Sequence, residues 1–161
     1  MIRTGIGQDS HRFLEKFDAK KPVVLGGVIV DRTKSIDANS DGDVILHALF
    51  NAISSAIGGK SLGYYADDLF KKGIADSSKY LGIIIKEMHK LGYEINNISI
   101  SIEAKYPKID MNSDKIIKNL STILKIDKSC IGLTATSGEG LTGSGRGEGI
   151  ACMCVVSLRK V

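Results

Sequence analysis

The sequence is poor in cysteine, with Cys130, Cys152 and Cys154 only, and their odd number and lack of C-x-x-C spacing exclude a disulfide framework and a zinc knuckle. Cys152 and Cys154 alternate along an apolar run and read as small core residues, which fits a reducing, cytoplasmic setting. No stretch approaches the ~20 apolar residues of a membrane span, and Met1 to Gly7 lacks an apolar signal core, so no membrane or targeting segment is expected. Long runs of one charge are also missing. The net charge of +4 is dispersed, and the pairs Lys20-Lys21 and Lys71-Lys72 read as solvated loop charges, so no nucleic-acid partner is expected. There are only 2 prolines and no internal repeat.

What is present suits one domain spanning residues 1–161: 43% hydrophobic and 25% charged residues are ordinary for a globular protein of this length. Glycine is the outlier at 18 residues, six of them between Gly138 and Gly149, a concentration that points to a site.

Ile2 to Gln8 alternates as a first strand, with Asp9 and His11 at its end, and Val23 to Val30 reads as two short strands turning at Gly26-Gly27. Ser40 is placed to cap a helix, with Asp43 three positions on in a capping-box-like pattern. The apolar stripe Val44, Ala48, Leu49, Ala52, Ile53 and Ala56 continues that helix to Gly58-Gly59. Lys60 to Ala75 is polar and mixed and reads as a long loop whose aromatics would form a flap. A second helix begins near Asp76-Ser77 and stops at Gly92, and a third covers roughly Asn112 to Leu124. Between them Ile98, Ile100, Ile102 and Ala104 alternate with polar residues as a strand with one wet face. Strands at Ile131–Ala135 and Ile150–Leu158 flank the glycine-rich loop. This order predicts an α+β sandwich with helices on one face of the sheet.

Asp9 and His11, two apart on a strand, leave the same face, and His47 would approach from the helix opposite. One oxygen and two nitrogens suit zinc, with a fourth position left for substrate, although spacing alone does not separate a metal site from coincidence. His89 reads as a solvated helix residue. The helix start beside Ser40 would offer free N–H groups to a phosphate, or would simply be capped. The segment Thr136 to Gly149 lacks the G-K-[ST] ending of a P-loop, but Thr136, Ser137 and Glu139 offer oxygens to a hard cation, and Arg146 and Glu148 are placed to pair.

Taken in order, Gly5-Ile6-Gly7-Gln8-Asp9-Ser10-His11, Ser40-Asp41-Gly42-Asp43-Val44-Ile45-Leu46-His47-Ala48-Leu49, Ala75-Asp76-Ser77, Ala104-Lys105-Tyr106-Pro107-Lys108 and Gly145-Arg146-Gly147-Glu148-Gly149-Ile150-Ala151 resemble one family along nearly the whole chain. It is the 2-C-methyl-D-erythritol 2,4-cyclodiphosphate synthases of non-mevalonate isoprenoid synthesis. The resemblance implies a four-stranded mixed sheet backed by helices, of ferredoxin-like or chorismate-mutase-like type. It also implies a homotrimer with interfacial active sites in the bacterial cytoplasm. Asp9, His11 and His47 fall on ligands of Zn2+ or another divalent transition metal, and Glu139 on the ligand of Mg2+ or Mn2+. The implied substrate is 4-diphosphocytidyl-2-C-methyl-D-erythritol 2-phosphate, whose 2-phosphate attacks the β-phosphorus, closes the cyclic diphosphate and expels CMP.

By the same resemblance Ala104, Pro107, Lys108, Ala135, Thr136, Ser137 and Gly138 would enclose the cytidine and its phosphates. Ser137 would assist the transition state and Ser40 would contact substrate. Arg146 and Glu148 would line the trimer axis, where some members hold a prenyl diphosphate. Two positions depart from the family pattern. Asn39 stands where His is usual, keeping a hydrogen-bond donor without the positive charge. Ser61-Leu62-Gly63 stands where Asp-Ile-Gly grips the erythritol hydroxyls, aligned on the glycine rather than with Lys60 at the Asp position. Two rival readings stand beside the synthase: a zinc phosphohydrolase that uses the same three ligands to activate water, and a trimeric binding module that kept the fold and lost turnover.

Overall fold

The first strand, β1 (Ile2–Arg12), turns Gly5, Gly7, Asp9 and His11 to one face, and the two glycines decide what lies on it. In the computed structural model, which describes residues 1–71 and 73–161 and leaves out the side chains of residues 67–70, helix α1 (Val44–Ile57) lies directly against them. A Cβ on Gly5 would stand 2.0 Å from the Ala52 carbonyl oxygen, and one on Gly7 would stand 2.1 Å from that of Ala48. Any side chain at either position would therefore lift the helix off the strand. Two strand residues advance roughly 6.7 Å and four helix residues about 6 Å, so the contacts keep step. Gly5 meets Ala52 and Gly7 meets Ala48; the next strand position on this face, Asp9, meets His47.

The main sheet has the order β1-β6-β4-β5, with β4 (Tyr93–Glu103), β5 (Ile131–Thr136) and β6 (Gly149–Lys160). The β1–β6 and β4–β6 pairs are antiparallel and β4–β5 is parallel, so the sheet is mixed, as expected. Strands β2 (Pro22–Leu25) and β3 (Val28–Ser35) form a separate hairpin. Helices α1, α3 (Ser77–Lys90) and α4 (Ser113–Leu124) bring Leu49, Ile53, Leu81, Ile84, Ile116 and Leu120 into the core. There they join Ile98, Ile100, Ile102, Val156 and Leu158 of the sheet. The other face of the sheet leaves Ile6, Met153 and Val155 exposed. A bulge at Asn96 shifts the alternation of β4, so Tyr93 and Ile95 are buried in one phase and Ile98 to Ile102 in the next.

Three expectations are corrected. Ser40 does not cap α1; Asp43 does, accepting from the backbone N–H groups of Ile45 and Leu46 at 3.1 Å each. The stretch from Lys60 to Ala75 is not a loop throughout, because α2 (Leu62–Lys71) occupies most of it. Its first turn is tied down by a bond from the Leu62 N–H to Asn51 Oδ1, and the Tyr65 ring packs 5.4 Å from Phe50, so tertiary contact overrides a weak local pattern. The glycine-rich connection is likewise partly ordered as a 3₁₀ turn at Gly138–Gly140 and a short helix α5 (Gly143–Arg146) capped by Thr142. Of the expected loop charges, Lys72 lies outside the described residues. His89 is exposed on α3, as expected. No described helix is long and apolar enough to cross a membrane.

Cys152 and Cys154 point into the core and Cys130 is half-buried, all as free thiols. Burial pushes both core thiols up, Cys154 to about 12 and Cys152 further, which leaves almost no reactive thiolate at neutral pH. Ellman's reagent is therefore expected to titrate Cys130 alone in the native protein and all three cysteines after denaturation; a second fast thiol would contradict this packing.

Candidate metal centre and phosphate site

The close contact of α1 with β1 brings three metal-ligating side chains together. Asp9 Oδ2 lies 2.9 Å from His47 Nδ1 and 3.1 Å from His11 Nε2, and the two ring nitrogens are 3.3 Å apart. A tetrahedral ion with bonds of about 2.0–2.2 Å sets its donors roughly 3.3–3.6 Å apart, so a few tenths of an ångström of spreading would seat one. Asp9, His11 and His47 are the group of this kind found among the described residues. Burial by itself would raise the Asp9 carboxyl, but protonated His11 and His47 outweigh it through hydrogen bonds and charge and bring the group down to about 2. The site thus holds a carboxylate and two imidazoles, a donor set suited to zinc-like cations.

These three side chains open into a cavity of about 310 Å³ that is also lined by Asn39, Ser40, Leu62, Gly63 and Tyr80. Asn39, Ser40, Leu62 and Gly63 therefore share a cavity with the three ligands. Ser61 lies outside the lining and precedes α2, its carbonyl accepting from the Tyr64 N–H. The α1 N-terminus does not offer the free N–H groups expected for a phosphate. Asp43 Oδ1 takes those of Ile45 and Leu46, and the same carboxylate also accepts from Gly26 at 2.9 Å and Gly27 at 2.6 Å. Burial pushes Asp43 up to about 6 even against the N–H groups of Gly27, Leu46 and Gly26, so at neutral pH the buried group that caps the helix is a carboxylate.

A second group gathers elsewhere on the chain. Lys105, Tyr106, Lys108, Ser137, Glu139 and Arg146 line a different cavity, of about 440 Å³. Ser137 Oγ donates to Glu139 Oε1 at 2.9 Å, and Glu139 has φ +48, a left-handed backbone that a non-glycine residue adopts at a cost of about 1–3 kcal/mol. Ala135 and Thr136 lie at the exposed end of β5, where Thr136 Oγ1 accepts from the Gly138 N–H. Ala104, whose N–H donates to the Thr136 carbonyl at 3.0 Å, is buried, as is Pro107. Arg146 Nε pairs with Glu148 Oε1 at 2.8 Å, as its spacing suggested.

Sequence reasoning left two residues without a role. Asp41 and Ser77 sit in motifs already singled out, yet only the fold shows that they meet each other behind His47. Tyr80 of α3 is buried in the core and is also part of the cavity wall.

Residues 2–159 match the YgbB family. A 2-C-methyl-D-erythritol 2,4-cyclodiphosphate synthase of Chlamydia muridarum is 45% identical over 159 residues, covering 98% of this chain and 88% of that protein. The synthase of Chlamydia caviae is also 45% identical, over 98% and 89% of the two chains. Among solved structures, IspF of Plasmodium falciparum in complex with CDP superposes with a TM-score of 0.85 at 33% identity, covering 99% of this chain and 96% of that one. The bifunctional IspDF of Campylobacter jejuni superposes at 0.90 with 34% identity, over all of this chain and 43% of that one.

Proposed function

The chain belongs to the YgbB family, and from that membership we propose that it is a phosphorus–oxygen lyase that converts 4-diphosphocytidyl-2-C-methyl-D-erythritol 2-phosphate to 2-C-methyl-D-erythritol 2,4-cyclodiphosphate and CMP. The observation that carries this reading is 45% identity to named synthases over 98% of the chain, joined to the convergence of Asp9, His11 and His47. A CDP complex of a structural relative supports a cytidine nucleotide as part of the ligand.

In this reading an oxygen of the 2-phosphate forms a bond to the β-phosphorus while the bond from that phosphorus to the bridging oxygen breaks. CMP leaves with the bridging oxygen, and no water enters. Asp9, His11 and His47 would hold zinc or another divalent transition metal and Glu139 would hold Mg2+ or Mn2+, and when bound these ions supply charge neutralisation and polarise the phosphoryl oxygens. The chain itself supplies position and a donor wall. Asn39 and Ser40 present a carboxamide and a hydroxyl to the phosphate end of the methylerythritol. Leu62 and Gly63 bound its carbon skeleton, with Ser61 just outside. Lys108 places an ammonium beside the nucleotide phosphates, Ser137 presents its hydroxyl to the same groups, and Ala104, Pro107, Ala135, Thr136 and Gly138 shape the cytidine side.

The two groups of residues line different cavities of one chain. That separation supports a homotrimer in which one subunit's ligand cluster faces its neighbour's Ser137–Glu139 segment. The exposed Ile6, Met153 and Val155 on the uncovered sheet face suit burial in such an assembly. Arg146 and Glu148 would then lie towards the axis, where a prenyl diphosphate would bind. A cytoplasmic location completes the reading.

Purified protein supplied with the cytidyl substrate, zinc and Mg2+ is expected to release CMP and to stop when a chelator is added. Glu139→Gln should shift the Mg2+ titration to higher concentration by about tenfold or more, since a carboxylate ligand to a hard cation is lost. An unchanged titration would remove Glu139 from the cation site.

A further inference from the structure

The hydrogen bonds behind His47 leave little freedom in where its protons sit. Ser77, only 1% exposed, places its Oγ 2.8 Å from His47 Nε2 and also hydrogen-bonds through that oxygen to Asp41 Oδ1. The other Asp41 oxygen accepts from the Ser77 backbone N–H at 3.0 Å, and the Asp41 N–H donates to the Ala75 carbonyl at 3.0 Å, so the two segments are clamped together. A hydroxyl has one proton to give. Asp41 is an acceptor only, so the Ser77 proton goes to it, and Ser77 Oγ can face His47 only as an acceptor. The Ser40 hydroxyl is further from His47 Nε2, at 3.4 Å, and accepts from the Gly42 N–H at 3.2 Å. With Ser77 the nearer partner by 0.6 Å and able only to accept, the imidazole proton is placed on Nε2. In neutral His47 this leaves a lone pair on Nδ1, aimed at Asp9 and His11 at 2.9 and 3.3 Å.

We propose that Asp41 and Ser77 are positioning residues that lock His47 in the Nε2–H tautomer and so create the lone-pair nitrogen of the metal centre. This rests on reading Asp9, His11 and His47 as that centre. A lone pair facing a carboxylate at 2.9 Å is repulsive unless a cation lies between them, so the relay favours the metal-bound state as well as permitting it. The relay also joins the start of α3 to the site, for Ser77 is the first residue of that helix and Asp76 its cap.

The tautomer is testable without any metal. In the metal-free protein labelled with ¹⁵N, at a pH where His47 is neutral, Nε2 is expected to give the protonated-type shift and Nδ1 the unprotonated one. A predominant Nδ1–H form would overturn the proposal. Zinc affinity is then read by competition with a chromophoric chelator. Ser77→Ala and Asp41→Asn should each weaken zinc by about 10- to 100-fold, while Ser77→Thr, which keeps the hydroxyl, should stay within about threefold of the unmodified chain. Equal affinities in all four proteins would overturn the relay. If the unmodified chain takes up no zinc at this site, the metal-centre reading fails, and the ¹⁵N result still decides the tautomer by itself.

Discussion

His47→Ala is expected to abolish stoichiometric zinc binding and to lower CMP release by about a thousandfold or more. The side chain provides one of three converging ligands, and two ligands hold a divalent transition ion far more weakly than three. With the ion gone, the charge stabilisation it contributes at the phosphoryl group, of order several kcal/mol, is lost, and each 1.4 kcal/mol is a factor of ten in rate. His47 is 6% exposed at the end of α1 over β1, where a methyl fits without displacing the helix. The fold and the proposed trimer should therefore persist, as judged by circular dichroism and light scattering. Unchanged zinc content by elemental analysis would remove His47 from the site. Retained zinc with lost activity would give the residue a role other than ligation.

Asp43→Ala is expected to destabilise the fold by about 3–5 kcal/mol. It would leave without a partner the N–H groups of Gly26, Gly27, Ile45 and Leu46, all of which converge on one fully buried carboxylate. Each unsatisfied buried donor costs about 1–3 kcal/mol, part of which entering water recovers. For a chain of this size that corresponds to a fall in Tm of roughly 6–20 °C. Asp43→Asn should lose less, because the carbonyl oxygen can replace Oδ1 for three of the four donors. A Tm within about 2 °C of the unmodified chain for Asp43→Ala would mean that the hairpin and the helix are not joined through this residue. Chemical denaturation with matched m-values separates this structural effect from any change at the metal centre.

Much of the fold was legible because the relevant signals are periodic and local. The alternation of Ile98, Ile100 and Ile102, the start of α3 near Asp76-Ser77, and the Asn112 start of α4 all appear where the sequence puts them. The gathering of Asp9, His11 and His47 was legible in part: a period of two fixes the first pair on one face, but the distance from them to His47 is set by Gly5 and Gly7 meeting the backbone of α1. That is a tertiary contact, visible in sequence only as two glycines. The cap of α1 was misplaced because Ser40 and Asp43 both satisfy the local pattern. What separates them is the hairpin Gly26-Gly27, 16 and 17 residues away from Asp43, whose N–H groups need a buried acceptor. The α2 segment was misread for a related reason, since its order comes from Phe50 and Asn51 on another helix. The roles of Asp41 and Ser77 depend on a contact between segments 36 residues apart that no spacing rule reports.

Asn39 is the residue whose chemistry most distinguishes this chain within the resemblance. It lines the cavity of the metal cluster and carries a donor without a charge. The reading therefore predicts turnover with Asn39 in place. Its most direct test is product analysis of the cytidyl substrate turned over in ¹⁸O-labelled water with zinc and Mg2+ supplied. The account predicts equimolar CMP and cyclic diphosphate, identified by ³¹P NMR, with no ¹⁸O in either product. An open-chain phosphate carrying ¹⁸O would contradict it in favour of a metal-dependent hydrolase, and binding of the nucleotide without any CMP release would contradict it in favour of a module that has lost catalysis.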